Sequence, residues 1–164
     1  MSILGAMSAE KSHEQRLKSL SIELPEPLPP FGEYVPAVVA GDFLWVGGHF
    51  GIAPDGSFST GRCGVNVSVD EAKVSARSAA MNLLATVRHT LGTLDKVKQV
   101  VHLYGVVNAS PDFVEHTGVI DAASAVLVEV FGDAGRHTRL AVGVSSLPGN
   151  LTLEIEAQIL LLKD

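Results

Sequence analysis

The C-terminal stretch Arg139-Leu-Ala-Val-Gly-Val-Ser-Ser-Leu-Pro-Gly-Asn-Leu-Thr-Leu-Glu-Ile-Glu-Ala157 contains two apolar runs separated by a turn signature. The runs 139–146 and 151–162 have the length of strands and are rich in Val, Leu and Ile. Leu147-Pro-Gly-Asn150, between them, has the residue types that favour a tight turn. This stretch therefore predicts a C-terminal hairpin of two adjacent strands within a larger sheet.

Side chains alternate along a strand, so Glu154 and Glu156 share one face, about 7 Å apart. The predicted turn brings Arg139 alongside them. A guanidinium is a rigid fork that matches a substrate carboxylate, and a glutamate can orient water or pass a proton. The alternative is a structural ion pair between Arg139 and one glutamate, which the pattern alone favours because such pairs are common on surfaces.

Two helical patterns lie upstream of the predicted hairpin. The first begins at Ser68-Val-Asp-Glu71, which fits a capping box, and continues as an apolar stripe that stops at Gly92. The second begins where Ser110 can cap it and Pro111 occupies the first helical position, and it stops at Gly132.

Three further strand-like runs complete the predicted sheet. Runs 34–40 and 43–48 are separated by Gly41-Asp42, which predicts a hairpin, and 97–107 is rich in Val. The predicted order is β-β-α-β-α-β-β, an α+β fold with one mixed sheet and both helices on one face. The chain's last strand ends in Ile159-Leu-Leu-Leu162, which is apolar on both faces, so the open face predicts self-association.

Length and composition favour one domain. The chain has 164 residues, of which 46% are hydrophobic and 18% charged, so it has ample material for a core. We predict a single domain over 24–164, preceded by an extension over 1–23 with room for one short helix. The formal net charge of −6 argues against a nucleic-acid-binding protein, because that affinity depends on Lys and Arg.

Cysteine usage and the opening residues bear on location. Cys63 is the only cysteine and cannot form an internal disulfide, which favours a reducing, cytoplasmic location. The apolar opening Met1–Met7 is too short for a signal peptide or a membrane span, and Met7 is a second candidate for the natural start. The histidines lack metal-ligand spacing, so we predict no metal.

The motifs resemble those of the RidA/YjgF family, also named endoribonuclease L-PSP. Arg139-x-x-Val-x-Val-x-x-Leu-Pro148 followed by Glu154-Ile-Glu-Ala157 looks like the family's C-terminal signature. The resemblance covers roughly 24–162, and the Gly135-Arg-His137 run with the proline-rich leader looks like a longer branch. Supporting matches are 31–38, 43–48, Asn108, 111–113 and 128–132.

The resemblance implies a chorismate-mutase-like fold and a homotrimer with three sites in the clefts between subunits. The best-understood members hydrolyse reactive enamines and imines, such as 2-aminoacrylate, to a 2-keto acid and ammonia. The resemblance implies that no metal or organic cofactor is needed, and that the partners are a small carboxylate or imine metabolite and further copies of the chain, with no nucleic acid and no membrane.

The resemblance also implies roles for individual residues. Arg139 would bind the substrate carboxylate, and Glu154 would position the attacking water with help from the backbone carbonyl of Ala141. Tyr34 would line the cleft. The further residues expected at the substrate are Gly48, His49 and Asn108.

Two departures from the family pattern affect the site. Family members often carry Ser-Gly-Gln where this chain has Gly47-Gly48-His49, and a cysteine where it has Ala141. His49 is open to two interpretations, an acid–base group near the ligand or a strand end that hydrogen-bonds backbone.

Three other functions compete with the deaminase. One is a binding module, either a trimer that captures a small carboxylate or aldehyde-like metabolite without turnover or a pathway accessory protein. The Gly47-Gly48-His49 departure favours it. A second is an endoribonuclease or translation inhibitor, as older family names suggest, against which the net charge argues. A chorismate mutase is remote, since one cleft arginine is little support for binding a dicarboxylate.

Overall fold

The computed structural model describes residues 11–163, so the expectations for Met1–Met7 lie outside the described residues. No helix within 11–163 has both the length and the apolar character that crossing a bilayer requires. The elements in chain order are α1 (His13–Ser19), β1 (Ala37–Ala40), β2 (Phe43–His49), α2 (Val69–Leu91), β3 (Val97–Asn108), α3 (His116–Phe131), β4 (Thr138–Val144) and β5 (Leu153–Leu161).

The five strands form one mixed sheet in the order β1-β2-β5-β3-β4. Strands β2 and β3 both pair antiparallel with β5, whereas β4 pairs parallel with β3. Helices α2 and α3 pack on one face, where their apolar stripes and the alternate residues of β5 form the core. The predicted α+β order and the placement of the helices are therefore confirmed.

The predicted C-terminal hairpin is wrong, because β3 lies between β4 and β5. Leu103 of β3 is opposite Arg139 on one side and Ala157 on the other. The turn at 147–150 does reverse the chain, but the reversal passes around the end of β3. A turn signature identifies the reversal and does not reveal which strand occupies the space between the two arms.

The predicted start of the first long helix is confirmed, and that of the second is wrong. Ser68 and Glu71 form a reciprocal capping box before α2, and Gly92 ends that helix with φ 80°. Helix α3 instead begins at His116 without a side-chain cap. Ser110 lies in the preceding loop, where its backbone N–H donates to the carbonyl of Cys63, 2.9 Å away.

The N-terminal elements differ from prediction in extent. Strand β1 covers 37–40 and not 34–40, since Pro36 has no N–H for the ladder.

Helix α1 occupies part of the predicted extension, and Leu17 joins the core. Arg16 donates to the carbonyl of Val130, 3.2 Å away, at the C-terminal end of α3, where a cation is favourable. The boundary at 23/24 stays a prediction.

Close helix–sheet packing depends on Gly105 of β3. A Cβ at this position would lie 2.7 Å from Cδ1 of Ile120 on α3, closer than two carbon atoms pack. The glycine therefore allows α3 to approach the sheet.

We expect Gly105→Ala to lower the free energy of unfolding by about 1–3 kcal/mol, the usual cost of an overpacked core. Gly118→Ala, in α3 with nothing within 4 Å of the new Cβ, is the control and should be neutral or stabilising. Urea denaturation of both variants measures the difference. Equal stability of the two variants would contradict the packing argument.

Candidate functional site

Glu154 lies on β5 and faces the open side of the sheet, away from the helices. Its neighbours Leu153 and Ile155 face the helices and are buried. The carboxylate is partly buried and makes no hydrogen bond with the residues that the structure describes, and burial raises the pKa of its carboxyl group. A carboxylate in this state can accept a proton from water more readily than a solvated one.

A β-bulge in β2 leaves space beside this carboxylate. Val46 pairs with Ala157 and His49 with Ile155, so Gly47 and Gly48 together oppose one residue of β5. A Cβ on Gly48 would lie 3.6 Å from Oε1 of Glu154. Gly48 is therefore next to Glu154, and its missing side chain keeps the region in front of the carboxylate open. Its contact with substrate stays a prediction.

The same bulge directs His49 to the opposite side of the sheet. The residue is 4% exposed, with Nδ1 2.8 Å from the carbonyl oxygen of Gly47 and Nε2 2.7 Å from Oγ1 of Thr86 on α2. Burial lowers the pKa of His49. This placement argues against a contact between His49 and a ligand at Glu154, and it supports the structural interpretation.

Tyr34 lies just before β1 and is about half exposed. Its Oη accepts a hydrogen bond from the backbone N–H of Phe31, 3.2 Å away. Tyr34 and Gly48 line one narrow crevice beneath the proline-rich leader. The structure therefore brings Tyr34 to the Gly48 end of β2, where His49 lines the same crevice.

Arg139 lies on β4 and faces α3. Its Nη1 donates to Oδ1 of Asp121 at 2.5 Å and to Oγ of Ser124 at 3.0 Å, and its side chain is 18% exposed. Nε and Nη2 make no hydrogen bond with residues 11–163, which leaves one edge of the guanidinium for a bidentate carboxylate. Ala141 follows two residues later on the same edge strand.

Arg139 and Glu154 do not meet within one chain. Arg139 shares the helix-packed face with Leu103, whereas Glu154 lies on the open face. Their strands are separated by β3, so the two backbones are roughly 10 Å apart across the sheet. The predicted juxtaposition through a hairpin is therefore wrong. The structural ion pair that the pattern favoured exists, but with Asp121 and not with a glutamate.

Asn108 is buried at the end of β3 and has a structural environment. Its Nδ2 donates to Oδ1 of Asn150 and to the carbonyl of Leu151, both 3.1 Å away, and its Oδ1 accepts from Nε of Arg62 at 3.3 Å. These bonds occupy the side-chain amide, and they attach the turn between β4 and β5 to the end of β3. They argue against the predicted contact with substrate.

Sequence reasoning missed the polar residues around Arg139. Asp121 and Ser124 lie on α3 beside apolar positions that face the core, and His137 is 3.0 Å from Oγ of Ser124. The available signal was a pair of polar residues three apart in an apolar helix, which places both on one face. No group of three or more His, Cys, Asp or Glu side chains within 11–163 is arranged to hold a metal.

The neutral ring of His49 should make stability depend on pH. The unfolded chain binds a proton at this histidine near pH 6.5, and the folded chain resists it, so the free energy of unfolding falls as pH drops from about 7 to about 5. We expect His49→Gln to reduce this loss, whereas His89→Gln, at an exposed position of α2, should not. Denaturant titrations across that range measure it, and an unchanged pH dependence in His49→Gln would refute the assignment.

Comparisons with known proteins agree with this geometry. Residues 14–155 match the model of the family described as "YjgF/chorismate mutase-like, putative endoribonuclease". Protein TCP17 of Trypanosoma cruzi is 38% identical over 87% of this chain and 90% of its own length.

Two crystal structures are similar over most of the chain. A Shewanella oneidensis protein with the same endoribonuclease description aligns with a TM-score of 0.86 and 31% identity, covering 92% of this chain and all of the other. Atu1372 of Agrobacterium tumefaciens, a protein of unknown function, aligns at 0.82 and 39%, covering 91% and 92%. These matches confirm the chorismate-mutase-like fold that the resemblance implied.

Proposed function

The chain belongs to the RidA/YjgF family, and from this premise we propose that it hydrolyses reactive 2-imino and enamine acids to 2-keto acids and ammonia, in sites between the subunits of a homotrimer. One observation carries the proposal: Arg139, with a free guanidinium edge, and Glu154, a carboxylate without a partner among the described residues, lie on opposite faces of one sheet. Two copies of the chain are needed to use both.

The open face of the sheet supports association of copies. It exposes large apolar side chains that a solitary chain would leave in water, with Trp45 47% and Leu140 50% exposed. Val38 and Phe43 extend this surface across β1 and β2. Exposed apolar side chains of this kind are typical of an interface, so covering them with neighbouring subunits removes an unfavourable exposure.

The chemistry requires little from the protein, because an imine is already electrophilic. Arg139 of one subunit holds the carboxylate of the substrate, and Glu154 of its neighbour accepts a proton from water as the oxygen bonds to C2. The C=N electron pair moves to nitrogen, which takes the proton from Glu154 and gives a carbinolamine. Glu154 then passes the hydroxyl proton to nitrogen, and the C–N bond breaks as the oxygen electron pair forms C=O and ammonia leaves. The balance is imino acid plus water to keto acid plus ammonia. Orientation and a positioned base account for the acceleration.

Two other functions remain as outcomes of the tests. A trimer that binds keto or imino acids without turnover would retain the Arg139 contact and show no acceleration. The endoribonuclease activity in the family description has less support, because the net charge is −6. The cytoplasmic location predicted from the lone Cys63 belongs to the same proposal.

We expect Glu154→Gln to lower kcat about 100-fold, the typical contribution of a general base, and Arg139→Ala to raise KM at least about 10-fold, because a charge-assisted contact is lost. Glu156→Gln, on the same face of β5, and Arg136→Ala, at an exposed ion pair, are the matched controls. The assay measures keto-acid release from imines generated in place by an amino-acid oxidase. Rates equal to buffer for the wild type would exclude the deaminase.

Mixing variants tests whether the site is shared between subunits. Arg139→Ala and Glu154→Gln are each expected to be nearly inactive alone. After unfolding together and refolding at equal amounts, about a quarter of the sites combine the intact arginine of one subunit with the intact glutamate of its neighbour. Activity should recover to about that fraction of the wild type. Absence of recovery in a correctly assembled mixture would contradict a shared site.

A further inference from the structure

A hydrogen-bonded chain of three side chains connects Arg139 to the turn that precedes β4. Nη1 of Arg139 donates to Oγ of Ser124 at 3.0 Å, and the same oxygen lies 3.0 Å from Nε2 of His137. Nδ1 of His137 lies 2.6 Å from the carbonyl oxygen of Gly135. Neither Ser124 nor His137 has a part in the proposed reaction.

The carbonyl of Gly135 determines where the protons of this chain lie. A carbonyl only accepts, so Nδ1 of His137 carries the hydrogen, and Nε2 of the neutral ring is an acceptor. The hydroxyl of Ser124 must therefore donate to Nε2 while its oxygen accepts from Arg139. In this state the one proton of Ser124 is committed to His137.

Protonation of His137 reverses one bond in the chain. Nε2 then becomes a donor, and the oxygen of Ser124 accepts from both His137 and Arg139, using its two lone pairs. The hydroxyl proton of Ser124 is then no longer donated to His137. Because Ser124 adjoins the guanidinium, an anion held on Arg139 can accept that proton: Asp121 in the empty site, and a substrate carboxylate when one is bound.

We propose that Ser124 is a carboxylate-contacting residue of the Arg139 site, and that His137 is a positioning residue that decides whether the Ser124 hydroxyl donates to the bound anion. The inference rests on the proposed function, because it takes Arg139 to be the carboxylate site. It adds two residues of this chain to that site. It also predicts that the affinity of the site for a carboxylate rises as pH falls.

The charged groups around His137 favour the neutral ring in the empty site. Burial is the main cause that lowers the pKa of His137. The hydrogen bond to the Gly135 carbonyl opposes it, and the positive charges of Arg139 on β4 and His102 on β3 act in the same direction as burial. On α3, Asp121 is paired with Arg139. In the turn before β4, Arg136 and Asp133 pair with each other at the surface.

A bound carboxylate opposes these effects. Its negative charge stabilises the imidazolium, and the freed Ser124 hydroxyl adds a donor, so anion and proton each favour the binding of the other. A 2-keto acid itself remains ionised above about pH 4. Carboxylate affinity should therefore rise as pH falls through the range in which His137 gains its proton.

Calorimetric titration of pyruvate tests this on the assembled protein carrying Glu154→Gln, which removes the carboxylate that the proposed site places opposite Arg139 and keeps Asp121 in every variant. We expect Kd to fall about tenfold between about pH 7.5 and about pH 5.5, as for a gained hydrogen bond to a charged group. Ser124→Ala in that background should abolish the change, and Ser124→Thr, which retains a hydroxyl, should restore it.

Variants of two histidines separate the mechanism from general charge effects. The side-chain amide of His137→Gln can donate to Ser124 at every pH, so its Kd should be independent of pH and close to the tight value. His102→Gln removes a nearby imidazole that hydrogen-bonds Thr138 and does not contact Ser124, so it should keep the pH dependence. Circular dichroism confirms that each variant is folded.

The outcomes distinguish this inference from the proposed function. If Arg139→Ala abolishes pyruvate binding but Ser124→Ala keeps the full pH dependence, the inference is overturned and the proposed site stands. If Arg139→Ala binds as tightly as the parent, or if the parent binds no pyruvate at either pH, the inference is also overturned. Imine turnover, measured separately, then tests the proposed deaminase activity.

Discussion

The insertion of β3 between β4 and β5 is the constraint on which the rest of the structure depends. Strand β3 is the longest of the five, and its helix-facing residues Val100, Leu103 and Val107 are almost fully buried. A strand buried in this way needs hydrogen-bonded neighbours on both edges, because unpaired N–H and C=O groups in the interior are costly. Strands β4 and β5 meet that need, and so they cannot pair with each other.

This arrangement separates the two groups that the chemistry would use. Strand β4 becomes an edge strand whose Arg139 reaches α3, and β5 becomes an inner strand whose Glu154 faces the open side. The bulge at Gly47-Gly48 then leaves room at Glu154 and directs His49 into the core. A single chain thus carries the two halves of the proposed site on opposite faces, which is an architecture suited to association.

Burial shifts the pKa of several titratable side chains in the direction that favours their uncharged form. It raises the pKa of Glu154 and lowers the pKa of His49 and His137, because a low-dielectric surrounding penalises charge of either sign. For His49 the result is a neutral link between β2 and α2. At Glu154 the result is a better proton acceptor.

The sequence by itself determined the element order, the start of α2 and the family, because capping residues, glycine stops and apolar spacing act over a few neighbouring positions. It also identified Glu154, Gly48 and Arg139 as residues of interest. Only the tertiary structure decided that β3 separates β4 from β5, and that Ser124 and His137 adjoin Arg139. Strand order and contacts between distant elements depend on which surfaces pack together, and no local pattern in the sequence encodes that choice.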